Sequence, residues 1–362
     1  MTVAAVAFLR ATLATRHRRS RRATRLVISA SAVALIATAL SGPAAAQSPV
    51  EQGSAQYGLD FHGPGRDGQI VFSQQTGTLG SSVFISQPDG SAVHQVPLVY
   101  PAEDWAIPRW SPNHRQLVIS HVFRFDASGN LLPFRPVTVN PDGTHFRLLE
   151  TPNAPFDGGC FGGWYQDGKH LLCSYGDEEA GVFGIRAVDG GHPVRLTRYP
   201  FPAECNACDE PTDVSPDGKS FVFVRYRDEN TDHQQVALFV ESLDGKNLRQ
   251  TTPYGLAAAH EIASARWSPD GRSIISSTPD GQLFVVRVHG GAVTFLPLHT
   301  GSADHFAFGP DWSPDGSRIV FGMGINKIGI DNQEDLYTAR IDGSDLRQIT
   351  DTPEFELGPD WR

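Results

Sequence analysis

Short runs of β-branched and aromatic residues recur along the chain, among them Ile70-Val71-Phe72, Val83-Phe84-Ile85, Leu117-Val118-Ile119, Val137-Thr138-Val139, Leu283-Phe284-Val285-Val286 and Ile319-Val320-Phe321. Clusters of Pro, Asp, Asn and Gly separate them. Apolar runs this short, bounded by turn residues, predict strands. No amphipathic helix is evident after residue 46.

One separator repeats with little change. Trp312-Ser313-Pro314-Asp315-Gly316 and Trp267-Ser268-Pro269-Asp270-Gly271 are full copies, and Val214-Ser215-Pro216-Asp217-Gly218 lacks only the Trp. Trp110-Ser111-Pro112-Asn113 and Trp164-Tyr165-Gln166-Asp167-Gly168 are looser copies. Gly358-Pro359-Asp360-Trp361 at the chain end matches Gly309-Pro310-Asp311-Trp312. The Trp positions 110, 164, 214, 267, 312 and 361 are spaced by 54, 50, 53, 45 and 49 residues, the signature of a repeat architecture. Within each copy Pro presets φ, Asp bonds its own backbone and Gly takes a positive φ, so the Trp ends one strand and the next apolar run starts its hairpin partner.

A second register lies downstream of the first: Pro88-Asp89-Gly90, Pro141-Asp142-Gly143, Val188-Asp189-Gly190, Leu243-Asp244-Gly245, Val288-His289-Gly290 and Ile341-Asp342-Gly343. Two hairpins in about fifty residues make four strands, which is one propeller blade. The prediction is an all-β chain: a six-bladed β-propeller of four-stranded antiparallel blades over residues 66–362. The first blade has no Trp-Ser-Pro strand of its own, and Phe355–Arg362 is a strand with no blade after it. The last strand is therefore expected to complete blade 1, which removes the open edge of a linear array. Large side chains at the Trp positions are expected to fill the wedges between blades.

These repeats resemble the TolB-like propeller family. The resemblance rests on the Trp-Ser-Pro-Asp-Gly turn, the downstream Asp-Gly turn and the closing Arg195-Leu196-Thr197 and Arg347-Gln348-Ile349-Thr350 steps. TolB itself carries an α/β domain before its propeller, whereas here only a linker, residues 47–65, precedes the first blade. The resemblance thus implies the propeller and not a role in the Tol–Pal envelope system.

The N-terminus changes both the compartment and the charge. Arg16, Arg18, Arg19, Arg21, Arg22 and Arg25 precede an apolar stretch of 15 residues, Leu26–Leu40, and then Ala44-Ala45-Ala46. Residues 1–46 read as a secretory signal peptide, since 15 apolar residues are short for a membrane span. Ser20-Arg21-Arg22 resembles a twin-arginine signal without the apolar pair expected after it. All seven charged residues of this segment are Arg, so the mature chain keeps 23 Lys and Arg against 40 Asp and Glu, a formal net charge of −17. That argues against nucleic acid and favours a basic or cationic partner. Cys160, Cys173, Cys205 and Cys208 are expected to form disulfides in the periplasm or outside the cell. A bridge from Cys160 to Cys205 or Cys208 would join successive loops; a zinc or redox role for Cys205-x-x-Cys208 is the alternative.

The candidate chemistry lies in the loops that lead into each innermost strand. They carry Glu103 and Asp104; Asp157; Glu204, Asp209 and Glu210; His260 and Glu261; Asp304 and His305; and Glu354 and Glu356. Converging, they would form an acidic mouth for a protein or peptide, or for a divalent cation held by His260 and His305. The plainer reading is that these acids cap turns or pair with arginines such as Arg109 and Arg266. The sequence contains no Gly-x-Ser-x-Gly, His-Glu-x-x-His or P-loop pattern. The expectation is a monomeric, exported, non-enzymatic module that binds an envelope or secreted protein or peptide, with no cofactor and no membrane span in the mature chain. The alternative is a metal-dependent lyase or lactonase working at the same mouth.

Overall fold

The repeated tetrad builds the same turn each time. In a computed structural model of the chain, Ser313 Oγ donates to Asp315 Oδ1 at 2.7 Å and accepts from the Arg318 N–H at 2.9 Å, while Gly316 N–H closes the turn on Ser313 C=O at 2.8 Å. Ser268 and Asp270, and Ser215 and Asp217, repeat this set. Ser111 and Asn113 do so too, with His114 at φ +56° in place of the glycine. Gly316 has φ +71°, a region a side chain strains to adopt.

The structure describes residues 68–75, 80–102, 106–130, 132, 134–149, 159–175, 181–198, 209–228, 234–258, 264–289, 292–298, 305–325 and 334–362, all within the unit His62–Arg362. Blade 1 contains β1 (Ile70–Gln75), β2 (Ser81–Ser86) and β3 (His94–Gln95). Blade 2 is β4 (Pro108–Trp110), β5 (Leu117–Val122), β6 (Arg135–Val139) and β7 (Arg147–Leu148). Blade 3 has β8 (His170–Tyr175), β9 (Gly181–Arg186) and β10 (Val194–Arg195). Blade 4 is β11 (Asp209–Val214), β12 (Ser220–Arg227), β13 (Gln235–Ser242) and β14 (Arg249–Gln250). Blade 5 is β15 (Arg266–Trp267), β16 (Ser273–Ser277), β17 (Leu283–Arg287) and β18 (Val293–Phe295). Blade 6 is β19 (His305–Trp312), β20 (Arg318–Ile325), β21 (Glu334–Arg340) and β22 (Arg347–Gln348).

The last strand, β23 (Glu356–Trp361), joins the first blade as the sequence predicts. The sheet order is β23-β1-β2-β3, with Ile70 opposite Trp361 and Gln74 opposite Glu356. Blade 3 keeps the plan with a reduced innermost strand: a single bridge, Trp164 to Leu171, stands where the other blades have a strand. Glycines explain this. Gly163 sits at φ +69°, and a Cβ on Gly162 would come within 2.7 Å of the Leu172 side chain.

The core lies between blades. Trp110 packs with Val71, Val83 and Ile85 of blade 1, Trp267 with Val222, Val224 and Leu238 of blade 4, and Trp361 with Val320 and Leu336 of blade 6. Each ring fills the wedge toward the preceding blade, where full burial of a large side chain contributes on the order of 2–3 kcal/mol. A separate apolar layer, Ile107, Phe306, Phe308, Phe355 and Leu357, joins the innermost segments of blades 6, 1 and 2.

Candidate binding site at the channel mouth

The residues that precede the six Trp positions converge, four of them lining one cavity. In ring order from blade 1 these residues are Asp360, Arg109, Gly163, Asp213, Arg266 and Asp311. In a ring of six sheets, blade 1 faces blade 4, blade 2 faces blade 5 and blade 3 faces blade 6. Asp-Arg-Gly therefore stands across from Asp-Arg-Asp.

The hydrogen bonds follow this two-fold pattern. Asp360 Oδ2 accepts the Trp110 backbone N–H at 2.8 Å, and its counterpart Asp213 Oδ2 accepts the Trp267 N–H at 2.9 Å. Trp164 Nε1 donates to Arg109 C=O at 3.3 Å, and Trp312 Nε1 donates to Arg266 C=O at 3.1 Å. The pattern breaks at blades 3 and 6. Asp311 Oδ2 accepts the Trp361 N–H at 2.8 Å. Gly163 has no side chain to offer, and the Val214 N–H is taken instead by Asp213 Oδ1 at 2.9 Å.

Arg362 extends among these acids, 3.8 Å from each of Asp213, Asp311 and Asp360. Burial works against its charge, but Asp360, Asp311 and Asp213 outweigh it and hold the Arg362 pKa above its ordinary value. Burial also pushes Asp213 up to about 7, against the pull of Arg362, and Asp311 up to about 6. The two opposed arginines differ. Arg266 Nε lies 4.0 Å from Asp311, both side chains fully buried. Arg109 is 3% exposed and reaches only carbonyls, those of Phe161 (3.4 Å), Pro108 (3.3 Å) and Gly358 (3.5 Å). Burial lowers its pKa, with the more distant acids opposing.

A cavity of about 260 Å³ opens where the innermost strands finish, at the mouth formed by the Ser-Pro-Asp-Gly turns. Arg109, Asp213, Asp360 and Arg362 line its charged part, and Gly162, Gly163 and Trp164 its blade 3 side. Its collar is Pro112, Pro216, Pro269 and Pro314, with Gln166 in the corresponding place of blade 3. In blades 4, 5 and 6 the turn glycine sits against its neighbour's collar residue: a Cβ on Gly316 would come 3.6 Å from Pro269, one on Gly271 3.8 Å from Pro216, and one on Gly218 3.1 Å from Gln166.

No protein-family model matches the chain. Over 127 residues it is 33% identical to the Tol-Pal system protein TolB of Anaeromyxobacter dehalogenans strain 2CP-C, a stretch covering 34% of this chain and 26% of that protein. An uncharacterised protein of Agrobacterium fabrum is 26% identical over 208 residues, 57% of this chain and 59% of that one. The crystal structure of TolB from Acinetobacter baumannii superposes with a TM-score of 0.55 at 16% identity, over 82% of this chain and 67% of that one. A structure from Agrobacterium tumefaciens provisionally assigned to TolB gives 0.55 at 20% identity, over 79% and 99%.

The chain is a TolB-like propeller. The sequence comparisons carry that likeness and the superpositions carry the fold; the matched stretch spans about a quarter (26%) of the TolB relative's own length.

In this TolB-like propeller the described acids among those singled out from the sequence, Asp209, Glu210, Glu354 and Glu356, lie at the opposite mouth, where the innermost strands begin. Asp209 precedes Asp213 by four residues, about 13 Å along β11. It is fully buried and held in a two-pronged pair by Arg225 at 2.6 and 2.7 Å. Glu210 accepts from the Tyr226 hydroxyl at 2.8 Å. Glu356 is fully buried and takes bonds from Gln74 (2.7 Å), Thr350 (3.1 Å) and Thr352; burial pushes it up to about 7 against those bonds. Glu354 is half-buried beside Thr352, and His305 opens β19, half-buried. Asp209 and Glu210 thus tie into their own blade, and Glu356 joins the chain's two ends. Asp104, Asp157, His260, Glu261 and Asp304 lie outside the described residues, as do Cys205 and Cys208. Among the described residues no three His, Cys, Asp or Glu side chains are grouped to hold a metal ion, and no helix is long and apolar enough to cross a membrane.

The cysteine pairing corrects one expectation. Cys160 bonds Cys173 of its own blade rather than Cys205 or Cys208. The reason is local. Ser174 N–H bonds Gly159 C=O at 2.9 Å and Leu172 N–H bonds Gly163 C=O at 2.8 Å, so the irregular inner segment lies alongside β8 with the two thiols opposed.

Asp213, Asp311, Asp360 and Arg362 were not among the residues singled out from the sequence. Their signal was their place beside the Trp positions, inside the motif already recognised.

Proposed function

We propose that this chain is an exported propeller that binds an envelope or secreted protein or peptide at the mouth formed by its Ser-Pro-Asp-Gly turns. The observation that carries the reading is the 260 Å³ cavity there, a rigid proline collar over buried charges on six converging blades. Short hydrogen-bonded turns hold the collar, so a partner segment would meet a preformed surface and little ordering would be needed on binding. The likeness to proteins named for the Tol-Pal system supports a role in protein association. The basic-apolar leader and the Cys160–Cys173 bridge support export to an oxidising compartment.

The test is co-isolation from the host's envelope fraction and medium. Blade 3 carries Gln166 where other blades have proline, so the position accepts a non-proline residue. Pro216→Glu combined with Pro269→Glu should release a stoichiometric partner while leaving the circular dichroism unchanged. A partner retained by that variant, and released instead by Glu354→Gln with His305→Ala, would move the binding surface to the opposite mouth.

A further inference from the structure

The broken two-fold pattern of the channel points to what the cavity takes. Blade 6 supplies Asp311 beside Arg266, the two 4.0 Å apart. At the opposed position, blade 3 supplies Gly163 beside Arg109, close enough that a Cβ there would lie 3.2 Å from Arg109 Cβ. Arg266 has a carboxylate beside it, at ion-pair distance though without a hydrogen bond between the two. Arg109 is 3% exposed, lines the cavity, and meets no carboxylate within ion-pair distance among the described residues.

We infer that the cavity receives a carboxylate from the partner, which sits by Gly163 and pairs with Arg109 as Asp311 pairs with Arg266. This rests on the reading that the turn mouth is the binding surface, and names the group recognised there. A buried guanidinium without a counter-charge is costly, and a planar carboxylate answers its forked donors. The two carboxylates on the cavity wall do not take this role. Asp360 and Asp213 each give one oxygen to a neighbouring blade's backbone N–H, and each stands 3.8 Å from Arg362. Asp213, at about 7, is only partly ionised at neutral pH, so Arg109, Arg266 and Arg362 together outweigh Asp213, Asp311 and Asp360 although the mature chain as a whole is acidic. The carboxylate can come from an Asp or Glu side chain or from a chain terminus; the collar admits either.

Trp110, Trp164 and Trp267 line the cavity, so their emission reports occupancy. The mature protein is titrated with N-acetylglutamate N-methylamide, which carries a side-chain carboxylate, with N-acetylglycylglycine, which carries a terminal one, and with neutral N-acetylglutamine N-methylamide. Saturable binding of at least one acid, tenfold or more tighter than the neutral probe, is expected, and the stronger acid identifies the source. Arg109→Gln should abolish the preference. Because a core arginine can be needed for folding, exposed Gln166→Glu is the second variant: a negative charge at the collar should weaken the acid probes several-fold and leave the neutral probe unchanged. Equal binding of acid and neutral probes, or an acid preference that survives Gln166→Glu undiminished, overturns the inference. A partner that still co-isolates in that case leaves the module reading standing and discards only the carboxylate.

Discussion

Asp360 and Trp110 are 250 residues apart in sequence, yet the Asp360 carboxylate accepts the Trp110 backbone N–H at 2.8 Å, stitching the closing strand to blade 2. Asp213 does the same for Trp267 on the other side of the ring, at 2.9 Å. Both bonds are buried, and each satisfies a main-chain donor that has no place in its own sheet.

Removing either acceptor should strand that donor. Asp360→Ala and Asp213→Ala are each expected to lower stability by about 1–3 kcal/mol in urea unfolding. Their effects should not add in the double variant, since both carboxylates stand 3.8 Å from Arg362 and share it as a partner. Strict additivity would show that Arg362 does not couple the two sites.

The tryptophans fall into two kinds. Trp312 donates its indole N–H to Arg266 C=O at 3.1 Å, whereas the buried indole nitrogen of Trp267 makes no hydrogen bond. Trp312→Phe should therefore be more destabilising than Trp267→Phe by about 1 kcal/mol, the net worth of one buried bond. Equal losses in paired denaturation curves would remove the indole bond from the account and leave only wedge filling.

Stability should peak in mildly acidic solution. Glu356, Asp213 and Asp311 have folded pKa values of about 7, 7 and 6, raised above their unfolded values. The native state then binds more protons, so their contribution is greatest at low pH and is lost as pH rises from about 4 to 7. The exposed turn acids Asp217, Asp270 and Asp315 are shifted the other way, chiefly by hydrogen bonds from Ser215, from Ser268, and from the Ser317 N–H. Their contribution is present above about pH 4 and is lost below it. Glu356→Gln keeps the side-chain shape without the charge, and should raise stability at pH 8 by roughly 1–3 kcal/mol while changing little at pH 5. A flat difference between the two pH values would contradict the assignment.

Blade 3 should depend on its disulfide more than on its innermost strand. Cys160 and Cys173 are 13 residues apart, and closing a loop of that size is worth about 3 kcal/mol. Cys160→Ser should lower the melting temperature and expose the Trp164 region to hydrogen exchange before the other blades. Non-reducing peptide mapping of the wild type should return a Cys160–Cys173 link.

Much of the fold was readable because its information is local. Ser313, Pro314, Asp315 and Gly316 make their turn with bonds among themselves and Arg318, so spacing alone counts the blades and shows that the last strand must find the first. The Cys160 pairing was not readable, because it depends on how three glycines bend the inner segment of blade 3 back onto β8. The partners of the loop acids were not readable for a related reason. Asp209, Glu210 and Glu356 look free in sequence, but partners across the strand or at the far end of the chain bury them.

The sequence by itself determined the ring: its repeats, its hairpins, its closing strand and the wedge residues between blades, all set by short-range turn chemistry and periodicity. Only the tertiary structure decided which charges meet at the centre. Asp360, Arg109, Gly163, Asp213, Arg266 and Asp311 each occupy the same place in a repeat, and nothing local distinguishes an acid that bonds a neighbouring blade from one that solvates. Closure of the ring brings them together, sets Arg362 among three carboxylates, and leaves Arg109 facing the cavity beside a glycine.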